Sequence, residues 1–147
     1  MTWKVDYYQT ERGESPIVDS LDTLSEKARA KCLSYIDLLE ERGSSLTRNY
    51  VSKVTDDIWE LRPEFGGTEY RLFYFMFVKD NLVILSAITK KTQQLKPRDI
   101  ALAQARAAEV QRREAQREQA IQKAIKDNVD PGSVQITPAI RRREDRG

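Results

Sequence analysis

Apolar positions are unevenly spread along this chain, and their spacing divides it into a packed body and a polar arm. Trp3 to Tyr8 is short and rich in strand formers, which predicts a first β-strand. Thr10 to Ser15 is polar and contains Gly13, marking a turn. Pro16 suits the first turn of a short helix with Ser15 as its N-cap, and Ile17, Val18 and Leu21 share one side of it. Ser25 reads as a second N-cap, opening a helix to about Glu41. Ala28, Cys32, Tyr35, Ile36 and Leu39 keep the three-to-four spacing of a buried stripe. Arg42-Gly43 ends it, since glycine readily takes the left-handed conformation of a helix C-cap.

Three further strands are predicted at Ile58–Arg62, Tyr70–Val78 and Leu82–Lys90. Lys79-Asp80-Asn81 is short enough for a hairpin between the last two, and Pro63 to Thr68 makes a looser link before them. Short links imply an antiparallel meander, which the N-terminal strand joins, with the early helical hairpin on one face. Tyr70–Val78 is apolar on both faces and needs cover from the C-terminal helix or from another subunit, as in a homo-oligomer. After Pro97 a helical pattern returns: Asp99, Ile100, Ala103, Ala107 and Val110 form one weak stripe. Residues 111–119 hold a single apolar side chain, Ala115, so no packed face is expected there. Ile121, Ala124 and Ile125 restore a brief strip before Asp130-Pro131-Gly132 stops the helix. The expectation is an α+β domain over residues 1–106, a helical extension over 107–129, and a disordered basic tail over 130–147.

Charge sharpens this division. A third of the 147 residues are charged, yet the net charge is only +2. Residues 1–60 carry eight basic and twelve acidic side chains; residues 61–106 carry eight and four. A basic segment beside an acidic one can steer a polyanion to one face. There is no histidine, which excludes histidine-based triads and histidine-ligated zinc, and the lone Cys32 reads as a small buried hydrophobe. Neither a metal nor a cofactor is expected. No signal-like apolar segment opens the chain and no apolar run could span a bilayer, so a cytoplasmic setting without membrane contact is expected.

Candidate chemistry gathers on the predicted strands. Strand alternation puts Trp59 and Leu61 on one face, suited to packing, and Ile58, Glu60 and Arg62 on the other. Glu60 and Arg62 then act either as a solvated ion pair or as site residues. Arg71 opens an aromatic-rich strand, and its fork of donors matches phosphate oxygens. Lys90-Lys91-Thr92-Gln93 closes the last strand. A meander brings Arg62, Arg71 and Lys90 or Lys91 to one patch, where converging cations would bind a phosphodiester and stabilise charge developing in its transition state.

Ile58-Trp59-Glu60-Leu61-Arg62, Tyr70-Arg71-Leu72-Phe73-Tyr74-Phe75 and Thr89-Lys90-Lys91-Thr92-Gln93, followed by a Pro97-led helix with Ile100, Ala103 and Arg106, resemble the phage-derived, HigB-like branch of the RelE-type toxins. The resemblance covers about residues 3–106. It implies the toxin of a type II toxin–antitoxin pair with a helix-turn-helix antitoxin as partner. It also implies a metal-independent endoribonuclease that cuts mRNA, often in the ribosomal A site, and so inhibits translation. By position it assigns Arg71 to the scissile phosphate and Lys91, with Lys90, to the leaving group; Arg62, Lys90, Thr92 and Gln93 would hold RNA. The lysines that some relatives carry on the Ile58–Arg62 strand are absent, as is any C-terminal tyrosine or histidine. Glu60 is therefore the candidate general base, although nearby cations would hold its pKa low. The alternatives are a catalytically degenerate protein that only grips RNA, the ribosome or another protein, and a phage-type regulator acting through its arm.

Overall fold

The computed structural model describes residues 3–90 and 95–143. Lys91, Thr92 and Gln93 lie outside them. In chain order the elements are β1 (Lys4–Tyr8), α1 (Pro16–Asp22), α2 (Glu26–Arg42), β2 (Val51–Lys53), β3 (Trp59–Leu61), β4 (Glu64–Phe65), β5 (Thr68–Val78), β6 (Asn81–Lys90), α3 (Pro97–Lys126) and β7 (Ile140–Arg142). The strands make one sheet in the order β2-β3-β5-β6-β1-β7, with β4 also paired to β5.

Local chemistry accounts for most boundaries. The Ser25 hydroxyl caps α2 by accepting from the Ala28 N–H at 3.2 Å. Gly43 ends α2 at φ +53°, and a Cβ there would overlap the Trp3 indole, so both backbone freedom and space require glycine. Ser15 does not cap α1; its hydroxyl, in a buried residue, donates to the Tyr8 carbonyl at 3.5 Å instead.

The sheet is mixed, not the wholly antiparallel meander expected. β3, β5 and β6 are consecutive antiparallel neighbours, but β1 pairs with β6 in parallel, Lys4 opposite Asn81 and Tyr7 opposite Ile84. The chain between β1 and β6 includes two helices and enough length for a crossover, so composition alone could not set the direction of β1. α1 and α2 pack on the face carrying Tyr70 and Leu72, against Leu21, Leu24 and Cys32. α3 covers the opposite face. There Glu109 accepts the Tyr8 hydroxyl at 2.9 Å, and Arg106 donates to the Leu85 carbonyl at 2.9 Å and to the Ser86 hydroxyl at 3.2 Å. β5 is thus covered within the chain from Tyr70 to Phe75 and left exposed at Met76 and Val78.

The arm and tail differ from the sequence expectation. α3 runs unbroken through residue 106 and buries Ala107, Val110 and Arg113. Arg113 carries the buried stripe into the polar run: Nη1 donates to the Gln9 carbonyl at 2.7 Å and to Glu109 at 2.6 Å, and Nη2 to the Thr137 carbonyl at 3.3 Å. The tail returns along α3 and adds β7 antiparallel to β1, Asp6 opposite Arg142 and Tyr8 opposite Ile140. Arg143 is buried between α2 carboxylates, 2.8 Å from Asp37 and 2.9 Å from Glu40. Residues 130–143 are therefore structured because basic residues, read as solvating, find fixed acidic and carbonyl partners.

Ending the chain after Pro138 should remove β7 and Arg143, expose the β1 edge, and cost at least about 2 kcal/mol in urea unfolding. A loss below about 0.5 kcal/mol would make the strand ornamental. Cys32 is buried, and burial pushes its thiol up to about 11. The unfolded thiol ionises at lower pH, so the native state loses stability as pH rises from about 9 to about 11. Cys32→Ala should flatten that part of the pH profile; an unchanged slope would exclude the thiol as its source.

Candidate functional site

Register places the candidate residues before any side-chain contact is considered. Glu60 lies opposite Phe73, and Glu69 opposite Lys90. Alternation then puts Ser52, Glu60, Glu69, Arg71, Phe73, Ser86 and Lys90 on the α3 face of the sheet. Leu61, Tyr70 and Leu72 point to the other face.

Arg71 is the centre of this group and is 4% exposed. Its Nη2 donates to Glu69 Oε2 at 3.1 Å. Its Nε is 3.8 Å from Glu60 Oε2, close enough for charge pairing yet not hydrogen-bonded. Among the described residues, Nε and Nη1 make no hydrogen bond, and neither does Glu60 Oε2. The other Glu60 oxygen accepts the Ser52 hydroxyl at 2.8 Å. A guanidinium held between two carboxylates, with two of its nitrogens unbonded among the described residues, is firmly positioned and incompletely satisfied. Such an arrangement can accept further anionic oxygen.

Arg62 does not join this group. Its guanidinium donates to the Arg48 carbonyl at the β2 edge, and its charge bears on Tyr35 of α2. The cause is local: Arg62 lies just past β3 with Pro63 after it, and its N–H continues the ladder to the Tyr50 carbonyl. Ion pairing joins Glu60 and Arg71, register sets Lys90 opposite Glu69 on the same face, and Arg62 stands apart. Trp59, expected beside Leu61 in the core, is 38% exposed, whereas Leu61 is fully buried.

Two residues of the group escaped the sequence reading. Glu69 stands two positions before Arg71 on one strand, so alternation alone could have paired them. Ser52 sits on the three-residue β2, too short and too polar to register as a strand.

The ion pair makes a quantitative expectation. Arg71→Met should cost about 3 kcal/mol, because it strands the buried Glu60 carboxylate. Adding Glu60→Gln should recover part of that loss, since the uncompensated charge goes with it. Strict additivity in a urea-denaturation cycle would mean the two groups do not interact.

With this geometry in view, comparison with known proteins places the chain. No curated protein matches it. Among solved structures, one chain of the crystal structure of the archaeal RelE–RelB complex from Pyrococcus horikoshii OT3 matches at 22% identity with a TM-score of 0.45, covering 62% of this chain and 98% of that one. The profile of the phage-derived Gp49-like proteins matches residues 19–108, from α1 through the first turns of α3, and so includes Glu60, Glu69, Arg71 and Lys90. That span exceeds half of the sequence, and the chain belongs to the phage-derived Gp49-like family, a family of RelE/HigB-like toxins.

Proposed function

We propose that this protein is the toxin of a type II toxin–antitoxin pair and cleaves mRNA on the ribosome in the cytoplasm, without a metal, restrained by a helix-turn-helix antitoxin. One observation carries the reading: among the described residues, Nε and Nη1 of a buried, strand-mounted Arg71 have no hydrogen bond, and neither does the Glu60 oxygen beside them. In this scheme the unused guanidinium edge takes the non-bridging oxygens of a scissile phosphate. Glu60 Oε2 accepts the 2′-hydroxyl proton as the 2′-oxygen attacks phosphorus. The bond from phosphorus to the 5′-oxygen breaks, a cyclic phosphate remains, and a lysine ammonium (Lys91 or Lys90) gives the leaving oxygen its proton. Thr92 and Gln93 would hold RNA from the loop after β6. Arg62 enters the reading only as an outer contact at the sheet edge, since its guanidinium is bound to the Arg48 carbonyl. The toxin unit is assigned to residues 1–106, with the rest of α3 and the tail as its scaffold.

A second reading is favoured by the same cluster. Arg71 is neutralised by Glu60 and Glu69 and almost fully covered, as suits a member that binds RNA, the ribosome or a protein without cutting.

Induced expression without a partner should arrest growth, and Arg71→Ala or Lys91→Ala should relieve the arrest by more than about tenfold in colony count. Arg62→Ala should change it little. Primer extension with chelator present should reveal cuts that vanish in Glu60→Gln. Intact message with salt-sensitive RNA binding would select the second reading, and full toxicity of an Arg71/Lys90/Lys91 triple alanine variant would sink the mechanism.

A further inference from the structure

At one end of the sheet, its strands and the chain leaving α2 do not close on each other. Beyond the end of α2, the turn at Gly43–Ser45 and Leu46 stand away from the far ends of β3, β5 and β6. They leave a cavity of about 380 Å³ lined by Leu46, Trp59, Tyr74 and Met76, with Phe75 and the α3 residue Gln111 bordering it from the other side of the sheet. That volume is within the range of sites that take small apolar groups. Two large side chains at its mouth are wet: Trp59 is 38% exposed and Met76 is 47% exposed. Exposed Trp and Met together are unusual on a solvated strand end and typical of contact surfaces.

A second, independent feature points to an occupant. Tyr74 lines the cavity and is 6% exposed, which puts a phenol hydroxyl in its wall. Burial alone raises its pKa, so the group stays a neutral donor at any physiological pH. A phenol in the wall of a cavity can donate to a carbonyl from an incoming backbone.

The rim carries charge of one dominant sign. Asp56 and Asp57 both border the cavity, and Lys53 reaches Asp56 only at 3.9 Å with both side chains in water. So exposed a pair does little to neutralise the rim. An acidic lip repels a polyanion such as RNA and favours a basic segment.

We propose that this groove docks a segment of a partner protein that inserts one apolar side chain, flanked by lysine or arginine, and gives a backbone carbonyl to Tyr74. None of the lining residues belongs to the Arg71 cluster, so the proposal stands whether or not the protein cuts RNA.

The test is selection of short random peptides displayed on phage against the full-length protein. Bound clones should share an apolar residue with basic neighbours, lose binding to Trp59→Ala and Met76→Asp, and compete with one another. Asp56→Asn/Asp57→Asn, two exposed changes that leave the core untouched, should weaken them about fivefold at low salt and less at high salt. Tyr74→Phe should weaken them without altering the charge preference. Clones with acidic or neutral flanks, or clones indifferent to Trp59 and Met76, would overturn the proposal. So would sedimentation of the unliganded protein as a dimer that Met76→Asp dissociates, because a second copy would then be the occupant.

Discussion

β5 and β6 are apolar on both faces, and strands of that composition cannot stand at the surface of a layer. They must be covered twice. α1 and α2 supply one cover through an ordinary apolar stripe. The other cover, α3, has only Ala103, Ala107 and Val110 to bury, all small. Small residues let the helix come close but contribute little apolar area. Arginines supply what is missing: Arg106 lies over the Tyr8 ring at 4.9 Å while bonding the β6 backbone, and Arg113 ties β1's exit to the returning tail. The basic character of the C-terminal third is thus partly structural.

Placing Arg71 within this doubly covered sheet has a consequence for chemistry. A buried guanidinium needs anions, and Glu60 and Glu69 supply them from the same face. The pairing holds the side chain rigid, which favours a site that works by positioning and electrostatics. It also means that any phosphate must compete with two resident carboxylates. The balance between pre-organisation and self-neutralisation is the physical point on which cleavage or mere binding turns.

The two faces of the sheet carry different surfaces. The α3 face gathers Arg71, Glu60, Glu69 and Lys90, while Trp59 and Tyr74 on the helical-hairpin face border an apolar groove with an acidic lip at the end of the sheet. Because β3 and β5 contribute to both, neighbouring residues on one strand serve opposite sides: Trp59 beside Glu60, and Tyr74 beside Phe73. A change that slips the register of either strand would exchange the two surfaces.

Periodicity, caps and turn residues determined the elements of the body, since those signals are local. The stripe of α2, the Ser25 cap, the Gly43 stop and the 79–81 hairpin are all legible without coordinates, as is the candidacy of Arg71. Tertiary structure alone decided the direction of β1, the existence of β2, β4 and β7, and the order in the tail. These depend on partners distant in sequence: β1 takes its direction from β6, and Arg143 finds Asp37 and Glu40 only once α2 is docked. The site divided the same way. Alternation could name Glu60, Glu69 and Arg71 as sharing a face. That Arg62 turns back to the Arg48 carbonyl depends on where β2 lies, and three polar-edged residues carry no pattern that announces a strand.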